Sequence, residues 1–284
     1  MERPTDLEAP ARPFLKGNRE SIADHYVPSD VQDNAKDFSF KHFTRLQAQR
    51  KVKFTNVSFQ HSIFETAYLR GCAFDSCDFT GSRFFGSVLS GSTFVDCKFD
   101  YATFERCHID PEILHLCAPK EDNLRMRFAR SLRMNYQQIG DARAVNAAIN
   151  LELEATSDHL YNSWYSEEKY HRQKYPGFKR FSQFAKWIEF RLLDFIWGNG
   201  ESISKLVRTI AFVILSIGFY DAQKRVDSPT ISDYWDSLQV APALFLGTLT
   251  SLHHSILAST TITALRLVAL SLLTALLVKR FGRR

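Results

Sequence analysis

Residues 52–109 read VKFTNVSFQHSIFETAYLRGCAFDSCDFTGSRFFGSVLSGSTFVDCKFDYATFERCHI. From Phe54 onward every fifth position is large and apolar: Phe54, Phe59, Phe64, Leu69, Phe74, Phe79, Phe84, Leu89, Phe94, Phe99, Phe104 and Ile109. Two residues before each stands a smaller one: Val52, Val57, Ser62, Ala67, Cys72, Cys77, Ser82, Ser87, Ser92, Cys97, Ala102 and Cys107. The positions between are mostly polar or charged, such as Glu65, Arg70, Asp78 and Lys98. A helix repeats every 3.6 residues and a strand every 2, so neither sustains a period of five. A second period of twenty lies on the first, because Leu69, Leu89 and Ile109 take every fourth large position and Phe takes the rest. Four five-residue faces per coil account for both periods, with like residues stacked at the ~4.8 Å inter-strand spacing. The rings then form ladders, with Phe74 between Phe54 and Phe94, and the small series points inward where volume is short.

The motif resembles that of the pentapeptide-repeat family: a large apolar centre, a small residue two before it, and polar residues elsewhere. The resemblance implies a right-handed quadrilateral β-helix, here about three coils long, within residues 37–118. Pro111 breaks the period. Asp37–Gln49, with Phe38, Phe40, Phe43 and Leu46, is expected to cap the other end, since a solenoid must hide its edge. Some members of the family mimic DNA and inhibit gyrase. Residues 51–110 hold six Lys or Arg and seven Asp or Glu, interspersed. That is too balanced for a phosphate mimic, and nucleic acid is not expected as a partner.

The whole chain has 284 residues, 45% hydrophobic and 24% charged, with a formal net charge of +5. This is room for more than one unit and excludes both full disorder and a purely membranous chain. Residues 1–36 carry Pro4, Pro10, Pro13 and Pro28 with no apolar period, and read as a flexible leader. No apolar signal stretch follows Met1. The five cysteines are odd in number, and four sit in the small inward series, where Cys acts as a compact hydrophobe. Cys77 and Cys97 share a column close enough for a bridge, but a reducing compartment is expected.

Residues 119–200 read as helical. Leu124, Phe128, Leu132, Tyr136 and Ile139 recur at three or four, then Gly140 stops the helix and Asp141 caps the next. Arg125, Arg127, Arg130 and Arg133 form a basic run, read first as a solvated face and second as an anionic contact. After Pro176 an amphipathic helix carries Phe181, Phe184, Ala185, Ile188, Leu192, Phe195 and Ile196 on one side. Lys179, Arg180, Lys186, Trp187, Arg191 and Trp197 are its candidate membrane-interface residues.

Residues 201–284 read as a membrane domain. Spans are expected at 203–220 and 256–278, with a short apolar stretch at 237–252, interrupted by Pro242 and Gly247, as a re-entrant segment. Arg266 interrupts the second span. A central arginine costs ~3 kcal/mol on the insertion scale and each Leu, Ile or Val returns ~0.3–0.6, so the span stands. Basic residues precede the first span and follow the second, which places both termini in the cytoplasm of a multi-pass protein of the cell (inner) membrane. This order resembles a two-transmembrane potassium-channel module, through Trp197-Gly-Asn-Gly-Glu201 and Tyr234-Trp-Asp-Ser-Leu238. The departure is the filter: Gly247-Thr-Leu-Thr-Ser-Leu-His-His254 replaces the Thr-Val-Gly-Tyr-Gly run, so potassium selectivity does not follow.

The functional expectation is an oligomeric pore or channel-like assembly controlled by a cytosolic solenoid. Arg266, His253, His254, Thr248 and Thr250 are its pore or intramembrane candidates. The alternative is a non-conducting membrane scaffold presenting the solenoid, and the remote alternative is the gyrase-type DNA mimic. Expected partners are the lipid bilayer, further copies of the chain (a tetramer is one size) and a cytosolic protein. No cofactor, metal set, phosphate loop or nucleophile–base pair is read from the sequence, so no enzyme is expected.

Overall fold

The computed structural model describes residues 19–32, 38–250 and 253–282. The chain forms two units, divided between His159 and Leu160.

The first unit is a parallel β-solenoid followed by helices. Its strands are β1 (Glu20–Ala23), β2 (Tyr26–Val27), β3 (Val31–Gln32), β4 (Lys41–Thr44), β5 (Gln47–Ala48), β6 (Lys53–Thr55), β7 (Ile63–Glu65), β8 (Ala73–Asp75), β9 (Arg83–Phe85), β10 (Thr93–Val95) and β11 (Thr103–Glu105). One face is the ladder β1-β4-β7-β9-β11 and another is β3-β6-β8-β10. A third joins β2 and β5 to bridges at Tyr68, Val88 and His108, and a fourth is the bridged series Ser58, Asp78 and Lys98. The solenoid has about four turns.

Two expectations are corrected here. Residues 20–32, expected within a flexible leader, form β1–β3 and pair with the next coil, Ile22 opposite Phe43 and Val31 opposite Phe54. Residues 38–48 are not a cap but a further turn. Phe38 stacks on Phe59 at 5.5 Å, Phe43 stacks on Phe64 at 5.2 Å, and the Ala48 N–H donates to Tyr68 O. The phase explains why these turns were hidden. Phe43 pairs with Phe64, twenty-one residues on, whereas Phe64 pairs with Phe84, twenty on. The rest of the leader, residues 1–18 and 33–36, lies outside the described residues, as do Asp37 and residues 251–252 and 283–284.

The core is the ring ladder. Phe79 lies 5.0 Å from Phe59 and 4.9 Å from Phe99 in stacked contact, and meets Phe74 edge-on at 5.5 Å. Every corner of the coil needs a left-handed residue two places after the large one. Asn56, Ser76 and Asp96 accept this conformation, and glycine supplies it at four corners. At Gly81 a Cβ would also come within 2.4 Å of His61 Nδ1, so the His61 ring would have to turn away. The inward small residues are more than fillers. Ser82 Oγ donates to Phe59 O at 2.6 Å, Ser92 Oγ to Leu69 O at 2.6 Å, and Cys77 Sγ to Phe54 O at 3.4 Å. They satisfy corner carbonyls that the ladders leave over.

The C-terminal edge is closed by helices. After α1 (Ile113–Leu116) comes α2 (Asp122–Ile139), which packs Phe128 on Phe99 and Phe104. Its side chains take the place of a missing next strand. Ser131 Oγ accepts from Phe104 N, Gln138 Oε1 from Arg106 N, and buried Asn135 exchanges two bonds with the Cys107 backbone, at 2.7 and 2.8 Å. Gly140 ends α2 in the left-handed region, and Asp141 caps α3 (Ala142–Tyr165) by accepting from Ala144 N. Most of the basic run is consumed internally: Arg125 pairs with Asp122 and Asp158, and Arg130 and Arg133 share Glu152.

The second unit contains α4 (Lys169–Lys174), α5 (Phe178–Trp197), α6 (Ile203–Arg225), α7 (Ile231–Leu246) and α8 (Ile256–Phe281). Its small core is Ile217, Ala241, Leu244 and Phe245, joined by Ile210, Val213, Ile214, Val240, Ile262 and Ala269.

Candidate functional site

Helices α6 and α8 are long and apolar enough to cross a membrane, with mean hydropathy 1.6 and 2.1 over their best windows. Little of either helix is buried. Helix α7 packs closely along α6, where Gly218 lies so near that a Cβ would be 3.2 Å from Leu238 Cα.

Polar contacts pin this unit at two levels. At one, Lys279 Nζ reaches Glu201 Oε1 at 2.5 Å and Gly200 O at 2.9 Å, and Lys205 Nζ holds both oxygens of Asp194 at 2.8 Å. Arg208 donates to Phe195 O and Thr209 to Ile196 O, so α6 satisfies carbonyls at the end of α5. At the other level Ser237 Oγ donates to Asp221 Oδ2 at 3.1 Å, and His254 Nε2 lies 2.9 Å from Asp221 Oδ1. Lys205 and Asp221, which mark the two levels on α6, are sixteen residues apart, about 24 Å of helix. Ser237 serves the carboxylate and not the imidazole, so this cluster does not have the hydroxyl–imidazole contact of a hydrolytic triad.

Between the levels lies Arg266, ten residues into α8. Its Nη1 donates to Leu246 O at 2.9 Å, at the C-terminal end of α7. The guanidinium rests on Gly247, where a Cβ would come within 1.7 Å of Nη1. Leu246 is nine residues past Ser237, about 14 Å along α7. His254 is back at the level of Asp221 and Ser237. Ser237 and His254 thus share one level, and Leu246 lies at another. Helix α7 begins at Ile231, earlier than the expected residue 237, because Thr230 and Asp233 form a capping box. Thr248 Oγ1 donates to Ala243 O, Thr250 is exposed, and His253 is exposed beside the buried His254 ring. The structure thus brings Arg266 and Thr248 to one end of α7 and places the histidines at the other level.

Helix α5 differs from its sequence reading in which face is free. Trp187 packs on Trp164 and Tyr161, Phe184 lies 4.8 Å from Trp164, and Trp197 lies against Gly200. Arg180 is occupied with Trp164 O and Glu167. The exposed apolar stripe is instead Phe178, Phe181, Ile188, Leu192 and Phe195, flanked by exposed Lys179, Lys186 and Arg191. The signal for this was present in the 3-and-4 spacing of Phe178, Phe181, Ala185, Ile188, Leu192 and Phe195.

In the solenoid all twelve ladder residues, Phe54 to Ile109, are buried. Surface charges pair between neighbouring coils: Arg45 holds Asp24 at 2.6 and 2.7 Å, and Lys53 meets Asp75 at 3.0 Å. All five thiols are free and buried. Burial pushes Cys72 and Cys117 up to about 11, and Cys97 is raised by its hydrogen bond with Cys77 and by burial. Such thiols are poor nucleophiles. At pH 8 the native full-length protein in detergent is expected to react with a thiol reagent at well under one site per chain, and at all five after denaturation; fast native labelling would contradict the packing.

Comparison with known proteins agrees with the repeat. Residues 53–91 and 77–109 match the model of pentapeptide repeats in eight copies. Residues 53–109 are pentapeptide repeats. One similar solved structure is that of QnrB1, a plasmid-mediated fluoroquinolone resistance protein, at 15% identity and a TM-score of 0.15. The alignment spans 31% of this chain and 63% of that one. No curated protein resembles the chain closely enough to count as a match.

Proposed function

We propose that the protein is an oligomeric, channel-like membrane protein whose pathway is controlled by its pentapeptide solenoid. The observation that carries this reading is that Ser237 and His254 share one level while Leu246, at the far end of α7, lies at the depth of Arg266, between two lipid-length helices. A backbone excursion to mid-depth is tolerated in a membrane only where protein or a water-filled cavity surrounds it. One copy leaves little of α6 and α8 buried, so further copies are the natural surround, and the potassium-channel resemblance suggests a tetramer. The missing filter argues against potassium selectivity but not against the topology.

In this reading the protein sits in the cell membrane with both termini cytoplasmic, α5 lies in the interface on its Phe178–Phe195 stripe, and the solenoid, right-handed as the repeat resemblance implies, meets a cytosolic protein. The inter-coil charge pairs leave little excess negative charge for DNA mimicry, and the repeats point to a binding role rather than an enzymatic one. The test is ion flux through liposomes holding purified full-length protein, with its oligomeric mass measured in detergent. Flux above empty liposomes, from an oligomer, is expected. An inserted oligomer passing no ion would overturn the pore in favour of a non-conducting scaffold, and a monomer would overturn the assembly.

A further inference from the structure

We propose that Arg266 is the charge-selecting element of this membrane unit, making the pathway one for small anions that excludes cations. The inference rests on the pore reading above and adds the class of permeant.

Arg266 lies ten residues beyond Ile256 and thirteen before Lys279, about 15 and 20 Å along the helix axis. Neither interface is within reach of its side chain, so snorkelling does not relieve the charge. Nor does a carboxylate. The acidic residues from 201 to 284 are Glu201, Asp221, Asp227, Asp233 and Asp236, and none follows Asp236. Glu201 is paired with Lys279 and Asp221 faces Ser237 and His254, at the two outer levels. Asp233 caps the start of α7, and Asp236 lies one residue before Ser237. Among the described residues Arg266 makes no ion pair, and Leu246 O is the acceptor the structure gives it.

That acceptor is informative. The C-terminus of a helix carries partial negative charge and attracts a cation. At the end of α7 the chain's own guanidinium fills this place, lying directly over Gly247, whose backbone is left-handed. A free cation arriving there meets a tethered one. Arg has five N–H donors, and one is spent on Leu246 O. A guanidinium at mid-depth with donors remaining and no carboxylate partner calls for water and an anion. Its neighbours in the chain suit that: Thr248, next to Gly247, and Thr263, three residues before Arg266 on α8, are exposed hydroxyl residues without charge. Repeated around an oligomer axis, such guanidiniums form the ring of Arg that selects anions.

The test is the reversal potential of the full-length wild-type protein in planar bilayers across a potassium chloride gradient, which needs no variant to fold. Chloride is expected to be preferred over potassium by about tenfold or more, the scale one fixed charge sets at close range. Arg266→Gln is expected to bring the ratio near unity and Arg266→Lys to keep the preference for chloride. Potassium preference, or no preference, in the wild type would overturn the inference and leave the pore standing. An unchanged ratio in a conducting Arg266→Gln would overturn the role of Arg266. Silence to both ions from inserted oligomers would overturn the pore reading and this inference with it.

Discussion

Phe79→Ala is expected to cost about 3–5 kcal/mol, the range for removing a buried ring, and to loosen the whole solenoid. Phe79 is fully buried, and it touches rings on both sides of its own column and in the neighbouring ones. Its removal leaves a cavity bounded by Phe59 and Phe99, whose spacing is fixed by the backbone ladders and cannot collapse. Coils in a solenoid hold only their neighbours, so a weak central coil uncouples the two ends. Hydrogen exchange on full-length protein in detergent is the measurement. Amides of 52–110 should lose protection together, while those of α6 and α8 keep theirs. Phe79→Leu imitates the aliphatic fourth column and should lose less. Equal losses for Leu and Ala would mean that ring stacking matters more than volume; no loss for Ala would contradict the packing.

Asn135→Leu is expected to cost about 2–4 kcal/mol, because it leaves the buried N–H and C=O of Cys107 unpaired at once. Leucine fits the apolar surroundings, so a hydrophobic ledger alone would call the change harmless or stabilising. The two effects have opposite signs, which makes the experiment decisive. Exchange at Phe104, Arg106 and Cys107 amides should rise first, since Ser131, Asn135 and Gln138 together replace the absent strand. Asn135→Asp retains an acceptor for the N–H but sets a carboxylate against Cys107 O. Burial and that carbonyl hold the folded acid above its unfolded pKa of about 3.9, so the protonated form is favoured in the fold. Its loss should therefore shrink as pH falls toward that value and grow as pH rises. A stable Asn135→Leu with unchanged edge exchange would show that α2 closes the solenoid by packing alone.

Legibility in the sequence followed periodicity. The twelve large residues announce themselves because identical positions recur every five and twenty, and all twelve are buried where the period puts them. The first turns obey the same physics but fall out of phase, with partners twenty-one and twenty-three residues apart. Ile22, Val27, Phe38 and Phe43 hold the local spacing of five while the step between coils varies, so a search in one phase passes over them. Helix α5 shows a different limit. A wheel places Trp187 and Phe184 near its apolar side, but Trp164 of α3 draws both inward and leaves Phe178 and Phe181 outside.

From the residues alone one can derive the coil of the repeat, the inward place of the cysteines, the two lipid-length stretches and the anomaly of a charge inside the second. These are properties of spacing and composition, and each is local along the chain. What required the folded molecule are meetings between distant residues. Asn135 finds the backbone of Cys107, Asp221 faces Ser237 and His254, and Arg266 reaches the carbonyl of Leu246. Nothing in a period of five or a run of leucines specifies such pairs, because hydrogen bonds need direction and distance in three dimensions. The fate of a charge inside a membrane depends on those contacts and not on its place in the sequence.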